Sequence, residues 1–302
     1  KKMKLLRFLG GAMIFVHGTI HLLGFAIAFD YSGQQTMPLE LSRGEGISWI
    51  ATALLFFVTA FLYFKQQPAW WIIAVIAIIV SQYLLIRNWE EARAGTLVNL
   101  LILMMVIAAR GSARFEKKYR DDVKNDLSGS GSAENGLLTE QDLTGLPLPV
   151  QQYIRRSCSL GKQRVDHMRV QLEGRMRGRN KKWFPIRIEQ YNFFGPYARY
   201  FFIKAEMFGL MVPGYHRYQD ASAGMDIRLF GLFPVMKFQG GVLNQAETVT
   251  LLNEICLMAP AALVSPHIYW ESIDEFHAKA IFTNGPQVVS AILEFNAKAE
   301  LV

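Results

Sequence analysis

The sequence has little cysteine and, over long stretches, no charge at all. Its two cysteines, Cys158 and Cys256, show no CxxC or metal-ligand spacing, which excludes a disulfide scaffold. Asp, Glu, Lys and Arg make up only 19% of the chain and are missing from four segments that total 74 residues: 8–29, 47–64, 69–86 and 94–109. This distribution excludes an ordinary soluble enzyme and a disordered protein.

The four uncharged segments are predicted to be transmembrane helices. About 20 apolar residues span a hydrocarbon core of about 30 Å as a helix. Three segments meet this length, and Ala92 and its neighbours extend the fourth. Trp and Tyr residues lie near the segment ends, where the membrane interface favours them. We therefore predict a four-helix transmembrane domain over residues 1–110.

The distribution of Lys and Arg predicts the orientation of these helices. Ten cations lie on the side that holds the N-terminus and residues 110–120, against three on the other side. Positive charge stays on the cytoplasmic side. We therefore expect a multi-pass protein of a bacterial inner (plasma) membrane, with its N- and C-terminal regions cytoplasmic. The first helix is too long for the apolar region of a cleaved signal peptide, so we expect it to be retained.

Beyond Arg110 the composition becomes polar and then β-like. Residues 111–145 are predicted to be a polar flexible linker, with a charged segment of helical character at 109–126 and a Gly/Ser-rich tether at 128–136. Residues 146–302 begin with a short helix after Leu146 and continue with alternating apolar and polar residues, which predict strands. The Gly195–Pro196 and Pro213–Gly214 pairs predict turns. Strands are predicted near 165–176, 183–193, 197–208, 215–220, 225–230, 267–276, 277–283 and 287–295, and a helix at 244–258.

The predicted fold is an α-helical membrane domain followed by an α+β domain, a curved antiparallel sheet with a helix packed on one face. The chain stops at Val302 in what reads as a strand, so we expect the natural protein to continue.

The second half resembles a known family. The segments LPLPVQQYIRRS, KKWFPIRIEQY, PGYHRYQDASAGMDIRLFGLFPV and HIYWESIDEFHAKAIF are similar to an uncharacterised bacterial family of β-rich domains of unknown function, over about 146–302. The resemblance implies a fold like the half-barrel lipoprotein carriers, with a helix across the open face of a curved sheet. It implies no activity and does not cover the membrane helices.

Aromatic residues are concentrated in the predicted sheet. They make up 27% of residues 183–238 against 13% of the whole chain, so this region needs an explanation of its own. On alternating strands, half of them would line the concave face and either fill a core or enclose an apolar ligand. The predicted ligand-binding residues are Trp183, Tyr191, Tyr200, Phe202, Tyr215, Tyr218 and Trp270.

Positive charge is concentrated in residues 155–187, which hold eleven Lys and Arg residues against two acidic ones. Next to a cytoplasmic leaflet, such a segment would attract anionic lipid headgroups; the alternative is a solvated strand face. Nucleic acid is not an expected partner, since no nucleic-acid-binding motif accompanies the charge. The predicted membrane-surface residues are Arg155, Arg156, Arg175, Arg177, Arg179, Lys181 and Lys182.

His17 and His21 lie four residues apart on one face of the first membrane helix. Ionisable residues inside a membrane are candidates for function. The pair is either a part of a metal or proton site or a hydrogen-bonding contact between helices, helped by the small residues Gly10, Gly11 and Gly18.

The sequence predicts no reaction. The hydrolase, zinc-protease, P-loop and dinucleotide-binding motifs are missing, so we assign no catalytic residue and no cofactor, and we do not expect an enzyme. The leading hypothesis is a membrane-anchored protein whose cytoplasmic domain binds an apolar or lipid-like ligand. The alternatives are a membrane-docked protein-interaction module without a ligand, and a metal- or haem-dependent redox protein that uses the first-helix histidines.

Overall fold

A computed structural model describes residues 2–31, 41–129, 136–157, 159–207 and 209–302. The chain divides into two compact units. The first unit comprises residues 1–114 with 206–210, and the second comprises residues 115–205 with 211–302.

The first unit is built from four long helices, each long and apolar enough to cross a membrane. Their apolar residues also cover the outer surface, where Phe61, Ile79 and Leu97 are each more than 60% exposed. A surface of this kind is stable in lipid but not in water. The helices are α1 (Lys2–Ala28), α2 (Arg43–Phe64), α3 (Trp70–Arg87), the single-turn α4 (Trp89–Ala92) and α5 (Gly95–Gly129). The residues of α5 from Phe115 on belong to the second unit.

Glycines allow α1 to approach its neighbours closely. A Cβ atom on Gly11 would lie 2.3 Å from the Phe64 ring, and one on Gly18 would lie 3.0 Å from Phe56 Cβ. The predicted close-packing role of these glycines is confirmed. Their effect is to bring the histidine face of α1 into the buried centre of the unit, where both imidazoles are 1% exposed.

The second unit contains a six-stranded antiparallel sheet in which the strands follow one another in chain order. Because every connection joins neighbours, each strand pairs with the next through a short turn, as in the pairing of Tyr191 with Tyr200 across β2 and β3. The strands are β1 (His167–Met176), β2 (Phe184–Phe194), β3 (Tyr197–Met207), β4 (Leu210–Gln219), β5 (Ser222–Leu229) and β6 (Phe233–Gln239).

Among the described residues, the rest of the second unit contains two further α-helices, the short 3-10 helices Glu140–Leu143 and Pro260–Val264, and a second, smaller sheet. That sheet has three antiparallel strands in chain order. The elements are α6 (Leu148–Arg156), α7 (Gly241–Met258), β7 (Ile268–Ser272), β8 (His277–Asn284) and β9 (Gln287–Glu294).

The two faces of the six-stranded sheet are covered by different elements. Side chains alternate between the faces along each strand. On one face, Tyr197 and Tyr218 belong to a core with α6, α7 and the three-stranded sheet. On the other, Phe193, Tyr200, Phe202 and Tyr215 pack against the last turns of α5. The predicted fold class is confirmed: four apolar helices precede a curved, unclosed antiparallel sheet with a packed helix.

Three local predictions differ from the structure. The segment 109–126 lies in α5, as its predicted helical character requires, but the part of the predicted flexible linker from residue 111 to Gly129 is a continuous helix; residues 130–135 of the expected tether lie outside the described residues. Pro213 and Gly214 lie inside β4 and not in a turn. Gly214 is needed there for packing, because a Cβ would lie 2.9 Å from Ile203 Cγ2. Strand β6 was not predicted.

Candidate functional site

The aromatic face of the sheet is covered by the C-terminal part of α5. Phe115, Tyr119 and Val123 are spaced by four residues, so they lie on one side of the helix, and all three are buried against the sheet. The Tyr119 ring stacks on Phe202 with a centroid separation of 5.2 Å. The helix thus takes the place that an apolar ligand would occupy over this part of the sheet.

Two carboxylates of α5 fix the helix on the sheet. The Tyr215 hydroxyl donates to Asp122 Oδ2 at 2.7 Å, and the Tyr200 hydroxyl donates to Asp126 Oδ2 at 2.6 Å. Burial raises the pKa of both tyrosines far above the ordinary range, and the carboxylates add to the shift. Both hydroxyls therefore stay protonated and act as donors.

An open pocket of about 220 Å³ lies where α5 meets β1 and β2. Its walls are apolar on the helix side, at Val123 and Leu127, and its polar groups come from both the helix and the sheet. All of its residues belong to the second unit. The residues around it are Tyr119, Arg120, Val123, Lys124, Leu127, Arg169, Glu189 and Tyr191.

One polar group of this pocket is left without a partner. The Tyr119 side chain is 1% exposed, and within the described residues its hydroxyl makes no hydrogen bond. Burial raises the pKa of Tyr119 well above its ordinary value, and the nearby Glu189 carboxylate raises it further, so the group remains a neutral O–H. A buried hydroxyl without a partner costs about 1–3 kcal/mol and calls for an explanation.

The pocket carries more positive than negative charge. Glu189 is engaged by Arg169 at 2.5 Å, and Arg120 lies 3.7 Å from the same carboxylate. Arg120 is also paired with Glu116 at 2.5 Å. Lys124 makes no ion pair with any residue that the structure describes. The groups that act electrostatically on the Tyr119 hydroxyl are Glu189, Tyr191, Arg120 and Arg169, all of which line the pocket.

The seven predicted ligand-binding residues lie in four separate environments. Tyr200, Phe202 and Tyr215 form the aromatic core under α5, and Tyr191 lines the pocket at its edge. Tyr218 faces the opposite side of the sheet and shares a hydrogen bond of 2.6 Å with Thr248. Trp183 is half exposed on the β1–β2 hairpin. Trp270 lies on the small sheet and donates to the Leu263 carbonyl at 3.2 Å.

Sequence reasoning missed the helical half of the pocket. Tyr119 and Lys124 fall in the charged segment 109–126, which was expected to be helical but to belong to the linker, because its many charges hide its apolar positions. The usable signal was the repeat of apolar residues at 115, 119, 123 and 127, which predicts one buried helix face.

The predicted membrane-surface residues separate into two groups. Arg155 and Arg156 lie on α6 and pair with Glu140 and Glu300. Their charges are therefore compensated. The remaining five lie on the exposed β1–β2 hairpin: Arg175, Arg177, Arg179, Lys181 and Lys182.

His17 and His21 lie in a buried hydrogen-bond network that joins three membrane helices. His21 Nδ1 is 2.9 Å from the His17 carbonyl, so this nitrogen must donate. His21 Nε2 then accepts from the Ser81 hydroxyl at 2.9 Å. His17 Nε2 donates to Asn99 Oδ1 at 3.0 Å, which leaves His17 Nδ1 as a buried acceptor with no partner among the described residues.

This network by itself supplies too few ligands for a metal. Counting the contacts of the described residues, His17 Nδ1 is the one nitrogen of these two imidazoles without a partner, whereas a zinc site takes three or four protein ligands. Among the described residues, no group of three or more His, Cys, Asp or Glu side chains is arranged to hold a metal ion. Metal binding by His17 and His21 stays a prediction.

A second buried polar network fixes α7 on the sheet. Arg199 on β3 donates to Glu247 at 2.9 Å and to Glu254 at 2.9 and 3.0 Å. Gln190 and Asn192 on β2 donate to Glu254 at 2.7 and 2.8 Å. The hydrogen bonds of Arg199 and Glu254 satisfy both groups, so we interpret this cluster as structural.

These features define the class to which the molecule belongs: a membrane protein in which four apolar helices precede an antiparallel β-sheet domain. A family model described as a family of unknown function (DUF6544) matches residues 136–302, more than half of the chain, and the chain belongs to that family. Comparison with curated proteins and with solved structures gave no match. The predicted β-rich family of unknown function is confirmed, whereas the likeness to lipoprotein carriers stays a prediction.

Proposed function

We propose that this membrane protein binds a small amphipathic anion in the pocket between α5, β1 and β2. The observation that carries the proposal is the buried, unpartnered Tyr119 hydroxyl at a pocket with an unpaired lysine. An anionic headgroup would lie near Lys124 and, once the pocket wall shifts to expose the buried hydroxyl, accept from Tyr119. The short apolar part of the ligand would contact Val123, Leu127 and the Tyr191 ring.

The size and charge of the pocket restrict the predicted apolar or lipid-like ligand to a narrower chemical class. A long acyl chain does not fit, because α5 covers the aromatic face on which it would lie. The volume of about 220 Å³ and the surplus of cations favour a short chain that ends in a carboxylate or phosphate. The distribution of Lys and Arg supports a bacterial inner-membrane location with the pocket on the cytoplasmic side.

The binding test uses the full chain in nanodiscs of neutral lipid, with octanoate, octyl phosphate and octanol as probes. Calorimetric titration against empty nanodiscs should show binding of one or both anions and little binding of octanol. Lys124→Gln should weaken anion binding about fivefold, since a partly exposed charge contact contributes about 1 kcal/mol. The matched control is Lys118→Gln, which removes an exposed lysine of the same helix outside the pocket. Equal affinity for octanol, or no effect of Lys124→Gln, would exclude the proposed site.

A second candidate function is favoured by the free His17 Nδ1 atom. A buried imidazole nitrogen without a partner can take up a proton or form one bond to a metal. Metal analysis and a visible absorption spectrum of the purified protein test the redox hypothesis. A metal that is lost in His17→Ala and retained in Thr19→Ala, an exposed neighbour on α1, would support it. Colourless and metal-free protein would exclude the redox hypothesis.

A further inference from the structure

One end of the six-stranded sheet is both basic and apolar. Because the strands follow one another in antiparallel order, alternate turns lie at the same end of the sheet. The β1–β2 and β5–β6 turns therefore share one end. We call residues 175–183 together with 230–235 the rim.

The positive charges of the rim are uncompensated. Its five cations, on the β1–β2 hairpin, are exposed, and none forms an ion pair with a residue that the structure describes. The nearest acidic residue of the hairpin, Glu173, is already paired with Arg187 at 3.2 Å. The hairpin is thus a concentrated source of positive potential in the second unit.

Large apolar side chains are exposed beside these charges. On the hairpin, Met176 is 43% and Trp183 49% exposed, and Arg177 lies over the Trp183 ring at 4.7 Å. On the edge strand β6, Phe233 and Val235 are each 62% exposed. An aromatic and aliphatic surface bordered by lysine and arginine is the composition of segments that bind in the interface of anionic membranes.

We propose that the rim docks on the surface of an anionic bilayer, with its cations among the headgroups and Trp183 and Phe233 at the level of the acyl boundary. Charge complementarity selects this occupant, because five free cations match anionic headgroups and oppose a basic partner. The same chain carries four helices that can cross a membrane, so a bilayer is always within reach of the domain. The proposal is independent of the pocket, which lies elsewhere in the second unit.

The test measures the depth of the rim in full-length protein. A fluorescent nitrobenzoxadiazole dye is attached at Met176→Cys in a Cys158→Ser background, where the remaining native thiol, Cys256, is buried. In nanodiscs with phosphatidylglycerol and nitroxide-labelled lipid, the fluorescence of the dye should be quenched at low salt. This quenching should be lost at high salt, which screens the attraction between the rim and the headgroups. The control dye position is Ile292→Cys, an exposed apolar site on β9 that should not be quenched.

The charge dependence is tested with two variants of equal net charge. Arg179→Gln/Lys181→Gln should reduce the docking constant about 25-fold, or about fivefold for each cation removed. Lys162→Gln/Lys298→Gln removes two exposed lysines outside the rim and should leave docking unchanged. Quenching that is the same in neutral lipid, or absent in all nanodiscs, would overturn the proposal. Crosslinking of the rim to a protein without lipid quenching would instead identify a protein partner and would also overturn it.

Discussion

The substitution Tyr119→Phe removes one oxygen atom. It should stabilise the ligand-free protein and weaken the binding of its ligand. The Tyr119 ring is fully packed, with Phe202 at 5.2 Å and Tyr215 at 5.6 Å, and the substitution keeps these contacts. It removes only the buried hydroxyl, which makes no hydrogen bond to the described residues. Since such a group costs about 1–3 kcal/mol, we expect a gain of about 1 kcal/mol in the free energy of unfolding, or a rise of about 2–4 °C in melting temperature.

The native thiol of Cys256 provides the assay. Burial raises the pKa of this thiol to about 12, so it reacts slowly with a maleimide dye while the domain is folded. In a Cys158→Ser background, labelling during a temperature ramp therefore reports unfolding of the β domain within the full-length protein. The same variant should bind octanoate or octyl phosphate about fivefold more weakly, because the ligand loses a hydrogen bond of about 1 kcal/mol.

Tyr218→Phe is the matched control, with the opposite expected sign. Tyr218 is as buried as Tyr119, but its hydroxyl is paired with Thr248 at 2.6 Å and with Asn284 at 2.8 Å. Its removal leaves those partners unsatisfied and should lower the free energy of unfolding by about 1–3 kcal/mol. If Tyr119→Phe is destabilised to the same extent, the Tyr119 hydroxyl has a partner in the folded protein and the argument for the pocket fails.

Three further predictions concern packing and buried charge. Arg199→Met should destabilise the β domain by about 3–5 kcal/mol in the thiol assay, because it leaves Glu247 and Glu254 buried without their cation; adding Glu254→Gln should recover part of the loss. Burial tends to raise the pKa of Glu247, but His216 and Arg199 outweigh it and hold that pKa below its ordinary value of 4.5. Its stabilising contribution is therefore present at neutral pH and lost as the pH falls below about 4.5, so the melting temperatures of wild type and Glu247→Gln should converge in acid. Gly24→Ala should disrupt the membrane unit, since its Cβ would lie 2.3 Å from the Trp49 ring, whereas Gly44→Ala, with no neighbouring atom closer than 4.0 Å, should not; heat-induced aggregation of the detergent-solubilised protein distinguishes them.

The features that could be predicted from the sequence depend on local periodicity. The membrane helices follow from uncharged length alone, and α7 follows from Val249, Leu252, Ile255 and Cys256 recurring on one helical face. Three of these four side chains are buried, whereas Val249 is 39% exposed. The strands follow from alternation of apolar and polar residues. Strand β6 shows no such alternation, because it is an edge strand exposed on both faces, and so it was missed.

The features that could not be predicted depend on contacts between distant segments. No feature of the sequence near Arg199 indicates that Glu247 and Glu254, 48 and 55 positions away, supply the carboxylates to which it donates. The concentration of aromatic residues in the sheet could be seen in the sequence, but the element that covers them could not be predicted. It is the end of α5, whose charged residues Asp122 and Asp126 read as linker and in fact accept hydrogen bonds from the buried tyrosines Tyr215 and Tyr200.

Aromatic enrichment by itself is therefore a poor guide to function in this protein. Most of the aromatic residues that gave the sheet its unusual composition have a packing partner or a hydrogen bond. A side chain whose contacts are already complete offers no further interaction to a ligand. The exceptions are the groups whose interactions are incomplete among the described residues: the Tyr119 hydroxyl, the Lys124 ammonium and the exposed side chains of the rim. Binding gains free energy only from interactions that the free protein has not already made. A ligand or a bilayer can therefore act on these groups and not on the packed core beside them.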